Sequence, residues 1–520
     1  MTYIRGRAEE ERYFKYITEK AHEEGFLLGF SSILERSARL YPQRAALICN
    51  DVSITYEELY KRAVAFTLRL REQGIKPRDR VLFLYENSLE FYCAYFGIIQ
   101  CGAVIAPLNT FLKERELTHI LNDAQPVLIV TSVEGAKLFQ SLGDSLTTPL
   151  LVYTHTVERA SEVGAFTPYH LHEDELAALL YTSGTTGLPK GVMLSSKNIM
   201  SNVMQIISRV HLTEQERFLG VLPLFHSFAQ NACIWSGLFL GCLIIVVPKI
   251  DRRAILAGLR HNPTVFLGVP ALYGLLCLMK NAPLSTIKWF VCGGDALPDR
   301  IRSAFALVYR RKICSGYGLT EASPVVSIDL EDCAEPTNNI GLPLIGIKVE
   351  IRDEQGNVLP QGQIGALWVA GDNVMLGYYN EPAETAKMLV DGWLDTGDLA
   401  YLDAQGKIVI TGRLKDLIIS KGLNIYPQEI ENVIASYANV IRVGVIGRPD
   451  ESGQIPIAYV ELKQDDPAAV HNLMALCMQH LASYKVPREI SIWQGELPVT
   501  TTGKVDKKVL RVHDAQKTQA

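Results

Sequence analysis

None of the 10 cysteines forms a C-x-x-C pair, and none lies at zinc-ligand spacing from a histidine. That excludes a redox dithiol motif and a structural zinc knot. Neither sign of charge dominates: 51 Lys and Arg stand against 56 Asp and Glu, a net charge of −5. The broad basic field of a nucleic-acid-binding protein is therefore missing. Glycine-rich phosphate motifs of the two commonest kinds are absent too. Lys190 follows Pro189 and precedes Gly191, which rules out a Walker A loop. Gly316-Tyr-Gly318-Leu-Thr-Glu321 breaks the dinucleotide fingerprint at its last glycine. The stretch ACIWSGLFLGCLIIVV, 232–247, has sixteen residues, short of the ~20 that cross a bilayer. It reads as a buried helix, a Gly turn and a buried strand ended by Pro248. The opening residues, MTYIRGRAEEERYFKYITEKAHEEG, have no apolar run and many acids, unlike a secretory signal. The closing KTQA is neither a peroxisomal address nor a prenylation box.

What is present is an ordinary globular balance. Of 520 residues, 48% are hydrophobic and 21% charged, enough to bury a large core without staples. The cysteines sit in apolar surroundings, Cys242 in CLIIVVP for example. They read as reduced, buried small hydrophobes of a cytoplasmic protein.

The first 400 residues alternate helical patterns with short apolar runs, such as VLFLY at 81–85, VLIV at 127–130, LIIVV at 243–247 and WFVC at 289–292. Such runs suit strands buried on both faces. The segment 55–74 is a helical pattern closed by Gly74. From about 345 the strands alternate instead, as in KVEI and ALWVAG, which predicts a small β-rich subdomain. The end reads as a separate α+β unit: a strand at 407–411, a helix opened by Pro427, strands near 441–447 and 455–463, and a helix over 467–483. The expected fold class is α/β, with a large N-terminal domain, residues 1–412, of layered sheets and helices. A small mobile C-terminal domain spans residues 413–520. Phe14, Ile17 and Ala21 form one helical stripe, expected to dock onto the large domain.

The segment LLYTSGTTGLPKGVMLSSKN, 179–198, carries the strongest chemical signal. Small residues from Thr182 to Leu188 follow an apolar strand, so backbone N–H groups and hydroxyls can converge on one anion. Lys190 adds a mobile positive charge.

The string YTSGTTGLPKGV, 181–192, resembles the phosphate loop of the adenylate-forming superfamily. Four further segments match in order: GYGLTEASP at 316–324, GWLDTGDLAYLD at 392–403, GRLKDLIISKGLNIYPQEIE at 412–431 and PVTTTGKVDKKVL at 498–510. The superfamily includes acyl-CoA synthetases, peptide-synthetase adenylation domains and beetle luciferases, and the chain looks most like bacterial fatty acyl-CoA ligases. The resemblance implies a two-step ligase that uses ATP, Mg²⁺ and CoA. A carboxylate displaces pyrophosphate to give an acyl-adenylate, and a thiol then displaces AMP.

The resemblance also implies roles. Thr182, Ser183, Gly184, Thr185, Thr186, Gly187 and Lys190 would hold the β- and γ-phosphates. Gly293, Gly294 and Asp295 would form an adenine-side loop, Tyr317 and Gly318 an adenine platform. Thr320 would contact the α-phosphate and Glu321 would carry the Mg²⁺, for which a carboxylate is the right hard ligand. Asp398 and Arg413 would anchor the ribose. Lys504 would bridge the substrate carboxylate and the α-phosphate, His226 would stand near that carboxylate, Lys415 would be the hinge, and Gly422 would line the thiol channel. Ser196 departs from the histidine many relatives carry.

Amino-acid-activating members of the superfamily that the chain resembles place an aspartate about there to pair the substrate's ammonium; HSFAQNAC has none after His226, so the resemblance argues against an α-amino acid substrate. A medium- or long-chain fatty acid fits better, with an aromatic acid such as a coumarate the other candidate. The same motifs suit an acyl-carrier-protein ligase, a fatty acyl-AMP ligase, or an inactive binding protein on the same fold. The sequence predicts no nucleic-acid partner, and peripheral membrane contact and oligomeric state stay open.

Overall fold

The computed structural model describes residues 7–24, 29–143, 146–154, 166–183, 188–279, 282–330, 338–420, 423–450, 453–500 and 504–519. Their strands form four sheets. The first has eight strands in the order Val325–Ile328, Cys314–Gly318, Trp289–Cys292, Val265–Gly268, Arg217–Gly220, Leu243–Val246, Ala45–Cys49 and Val52–Thr55. Its interior pairings are parallel and both edges are antiparallel. The second runs Gly377–Tyr378, Pro189–Ser195, Leu176–Ser183, Val104–Pro107, Arg80–Leu84, Leu128–Thr131 and Leu150–Val152. The apolar runs foreseen at 81–85, 127–130, 243–247 and 289–292 are all strands of these two sheets. The runs Leu128–Thr131 and Leu243–Val246 are buried at every position. Each aliphatic side chain so removed from water contributes about 1.5–3 kcal/mol.

The segment 232–247 takes the expected form with one addition. A π-helical stretch, Gln230–Ser236, runs into the short helix Gly237–Leu240. Gly241 then turns with φ +86° against the ring of Tyr41, where a Cβ would collide, and the buried strand begins at Leu243. Among the described residues no helix is long and apolar enough to cross a membrane.

Helix Tyr56–Glu72 begins where Thr55 Oγ1 accepts from Glu58 N. Helix Ser196–Val210 begins with a capping box between Ser195 and Asn198. Ser196 is buried there, its hydroxyl accepting from Phe30 N at 3.0 Å. The N-terminal helix Arg7–Glu23 docks on the large body as the stripe predicted, with Ile17 and Ala21 buried. Glu10 pairs with Arg209 at 3.4 Å and accepts from Ile345 N at 3.2 Å.

The β-rich subdomain is the third sheet: Lys348–Arg352, Gly365–Ala370, Trp393–Leu402 and Leu389–Val390, with Ile408–Arg413 also paired to Trp393–Leu402. Arg413, the first residue of the expected small domain, lies in this sheet directly opposite Asp398. The fourth sheet comprises Leu423–Ile425, Ile418–Ser420, Gly453–Leu462 and Val440–Asp450, with Glu489–Ile492 added in parallel. It has its own apolar core, including Ile418, Ile434, Val445 and Val460.

Candidate active site

The site forms where the parallel strands of the first sheet end, the usual position for ligand crevices in such sheets. Strand Trp289–Cys292 delivers Gly293, Gly294 and Asp295, and strand Cys314–Gly318 delivers Tyr317 and then Thr320 and Glu321. A Cβ on Gly293 would lie 3.2 Å from the Phe228 ring, and Gly294 has φ +80°. Gly318 has no room for a side chain because the Pro324 carbonyl fills that space.

Tyr317, Asp398 and Arg413 converge. Tyr317 Oη donates to Asp398 Oδ2 at 2.6 Å, and Arg413 Nε lies 3.3 Å from Asp398 Oδ1. Antiparallel register across the third sheet sets Asp398 against Arg413. Burial, then the Asp398 charge, pushes the Tyr317 hydroxyl well above its ordinary pKa. A buried carboxylate held between a phenol and a guanidinium suits two vicinal hydroxyls.

Glu321 occupies a short 3-10 turn, Thr320–Ala322. Met375 N donates to the Glu321 carbonyl at 2.9 Å, and Asn373 Nδ2 to that of Ala322 at 2.8 Å. Tyr378 Oη donates to Glu321 Oε1 at 2.8 Å. Burial raises the Glu321 carboxyl pKa even so, which means that its negative charge is under-compensated by the protein. Among the described residues no three acidic, His or Cys groups cluster as a metal cage. A single hard carboxylate is a donor that suits Mg²⁺, which keeps waters and phosphate oxygens as its other ligands.

Ser227 Oγ lies 3.1 Å from Thr320 Oγ1 and joins the two segments. Next to it, His226 Nδ1 accepts from Phe228 N at 3.3 Å. Burial, followed by the charge of Lys504, pushes the His226 pKa down to about 4. The imidazole is thus neutral near pH 7. Lys504 arrives from the opposite end of the chain, its Nζ 3.6 Å from Asp295 Oδ1. Its backbone is fixed by Thr500 N, which donates to the Lys504 carbonyl at 2.7 Å.

Contacts and charge interactions thus link Tyr317, Asp398 and Arg413, and Lys504 with Asp295 and His226, while Thr320 and Glu321 follow Tyr317 at the same strand end. Thr182 lies opposite Lys190 in the hairpin of Leu176–Ser183 and Pro189–Ser195. Lys190 differs from the mobile charge expected: its Nζ is 2.6 Å from Glu384 Oε2. Lys415 lies in the turn Leu414–Asp416 that follows Arg413, its pKa lowered by burial and then by Arg413. The Ser183 side chain, Gly184, Thr185, Thr186, Gly187 and Gly422 lie outside the described residues. Sequence reasoning missed Tyr378, Ser227 and Glu384. Ser227 had a signal, adjacency to His226; Tyr378 and Glu384 had none.

Residues 34–379 match the family of AMP-binding enzymes, and residues 429–504 match the AMP-binding enzyme C-terminal domain. The chain is 34% identical over 489 residues to a feruloyl-CoA synthase of Amycolatopsis sp, covering 93% of this chain and 98% of that one. It is 32% identical over 523 residues to a long-chain-fatty-acid–CoA ligase of Bacillus subtilis, covering 92% and 93%. The O-succinylbenzoate coenzyme A synthetase of Bacillus subtilis, solved in complex with ATP and magnesium ion, superposes with a TM-score of 0.83 at 28% identity. That match covers 92% of this chain and 99% of the other.

Proposed function

Because this chain belongs to the AMP-binding enzyme family, we propose that it is an ATP-dependent ligase that joins a carboxylic acid to coenzyme A through an acyl-adenylate. The observation that carries this reading is the meeting of Lys504 with Asp295 and His226 beside the strand ends that deliver Thr320 and Glu321. Adenylation brings two anions together, so a lysine delivered to their meeting point answers its main electrostatic problem.

In the first half-reaction a carboxylate oxygen bonds to the α-phosphorus and the bond to pyrophosphate breaks. Lys504 sits between both anions and offsets their repulsion. Thr320 donates its hydroxyl to the α-phosphate, and Asp398 accepts from the ribose hydroxyls. Neutral His226 borders the carboxylate without adding charge. Magnesium, held through Glu321, would supply positive charge to the phosphates. In the second half-reaction the thiol sulfur bonds to the acyl carbon and AMP leaves. The small domain, turning about Lys415, would withdraw Lys504 and present Gly422 to the thiol. The domain division at 412/413 is part of this reading.

The acid is a medium- or long-chain fatty acid. Ala229 and Ala322 are buried, and Ser227, Phe228, Ala229, Gln230 and Asn231 carry no negative charge to pair an ammonium group. The similarity to a feruloyl-CoA synthase favours a second reading, an aromatic acid. A cytoplasmic location goes with the chemistry and with the nine unbridged cysteines among the described residues, eight of them buried. Pyrophosphate release with acetate, C8, C16 and coumarate, each with and without CoA, tests all of this. Multiple turnover only with CoA, peaking at one acid, is expected. A single burst unchanged by CoA would turn the reading to a carrier-protein ligase or an adenylate-only enzyme.

A further inference from the structure

Lys190 and Glu384 are 194 residues apart in sequence and 2.6 Å apart in space. The Lys190 side chain is only 12% exposed, and its Nζ also lies over the Tyr378 ring at 5.4 Å from the centroid. That same tyrosine donates to Glu321, so the contact joins the phosphate hairpin to the carboxylate expected to meet the metal. Glu384 stands on the short helix Pro382–Met388, tied to Tyr378 because Tyr378 N donates to Thr385 Oγ1 at 2.9 Å. Its two oxygens are divided. Oε2 faces Lys190, while Oε1 faces Lys387 at 2.5 Å. Lys387 is 69% exposed and belongs to the same helix.

We propose that Glu384 is a positioning residue that parks Lys190 beside Tyr378 and releases it to the polyphosphate of ATP. The proposal rests on the nucleotide reading above. Without nucleotide, a lysine this enclosed needs a counter-charge, and Glu384 provides it. When a polyphosphate arrives, its higher negative charge competes for the ammonium. Lys387 remains on Glu384, so the carboxylate is left paired and the exchange is inexpensive. The positive charge is in this way neutralised until the anion that needs it is bound.

Binding of a non-hydrolysable ATP analogue and of AMP to the full chain, by titration calorimetry, tests this. Glu384→Gln keeps the side-chain shape and removes the competing charge. It should tighten the ATP analogue roughly two- to fivefold, the range that a modest ion pair is worth, and leave AMP unchanged. Lys190→Ala should weaken the analogue, and Glu384→Gln added to it should then change nothing. Weaker analogue binding in Glu384→Gln, no change, or an equal change for AMP would overturn the proposal. Failure of the unsubstituted chain to bind either nucleotide would instead overturn the nucleotide reading. Thermal melts of each variant separate misfolding from loss of binding, and rescue by Glu384→Asp should restore the original affinity.

Discussion

Lys504 Nζ lies 3.6 Å from Asp295 Oδ1, with the two side chains 32% and 42% exposed. A pair this exposed contributes about 1 kcal/mol or less to stability. Its meaning is geometric: it holds the lysine beside the Gly293–Asp295 segment. Lys504→Ala should therefore abolish acyl-adenylate formation while leaving stability within about 1 kcal/mol. Supplied acyl-adenylate should still become thioester. Following pyrophosphate release and thioester formation separately checks this, and equal loss of both steps would refute the two-position use of the small domain.

Asp398 holds Tyr317 and Arg413 through its two oxygens. Hydrogen bonds to a charged acceptor are worth about 1.5–3 kcal/mol. Asp398→Ala should weaken AMP roughly tenfold or more, since it removes the acceptor and frees Arg413 to swing. Titration calorimetry with AMP and with adenine alone reads the effect. An equal loss for adenine would move Asp398 away from the ribose.

Where candidate residues share one contiguous run, their proximity was legible in the chain. Tyr317, Thr320 and Glu321 share one run, and the strand before them fixes where they point. The buried strands were legible from continuous apolar runs, and the docked N-terminal helix from its periodic stripe. Tyr378 and Glu384 were not. Tyr378 reaches Glu321 across 57 residues of sequence, and Glu384 reaches Lys190 across 194. Nothing local marks such partners, since strand pairing between Gly377–Tyr378 and Pro189–Ser195 creates the contact. The π-helical stretch Gln230–Ser236 was also hidden, because its apolar run suits an α-helix equally well.

His226 carries a pKa lowered to about 4 by burial and by Lys504. The folded protein therefore binds this proton less readily than the unfolded chain, whose histidine titrates near 6.5. The stability that His226 contributes is complete above pH ~6.5 and is lost as pH falls toward 4. Relative to His226→Gln, the native chain should lose on the order of 1–3 kcal/mol over that window. Denaturant melts at pH 7.5, 5.5 and 4.5 measure it. Turnover between pH 7 and 8.5 should show no inflection from this group, and parallel melts at all pH values would place His226 in solvent.

Glu321 is shifted in the opposite sense, its carboxyl pKa raised by burial. The folded state holds this proton more tightly than the unfolded chain, where it leaves near pH 4.3. Below that pH the carboxyl is neutral in both states and costs nothing. As pH rises, the folded chain alone must ionise a buried group, so stability falls. Glu321→Gln should therefore raise the melting temperature of the nucleotide-free chain at pH 7, with the gain vanishing toward pH 4. The same change should collapse turnover and remove the stabilisation that magnesium and ATP together give the native chain. Calorimetric melts with and without magnesium–ATP distinguish these effects. A variant that melts at a lower temperature without nucleotide, yet keeps its response to magnesium, would take Glu321 out of the metal site.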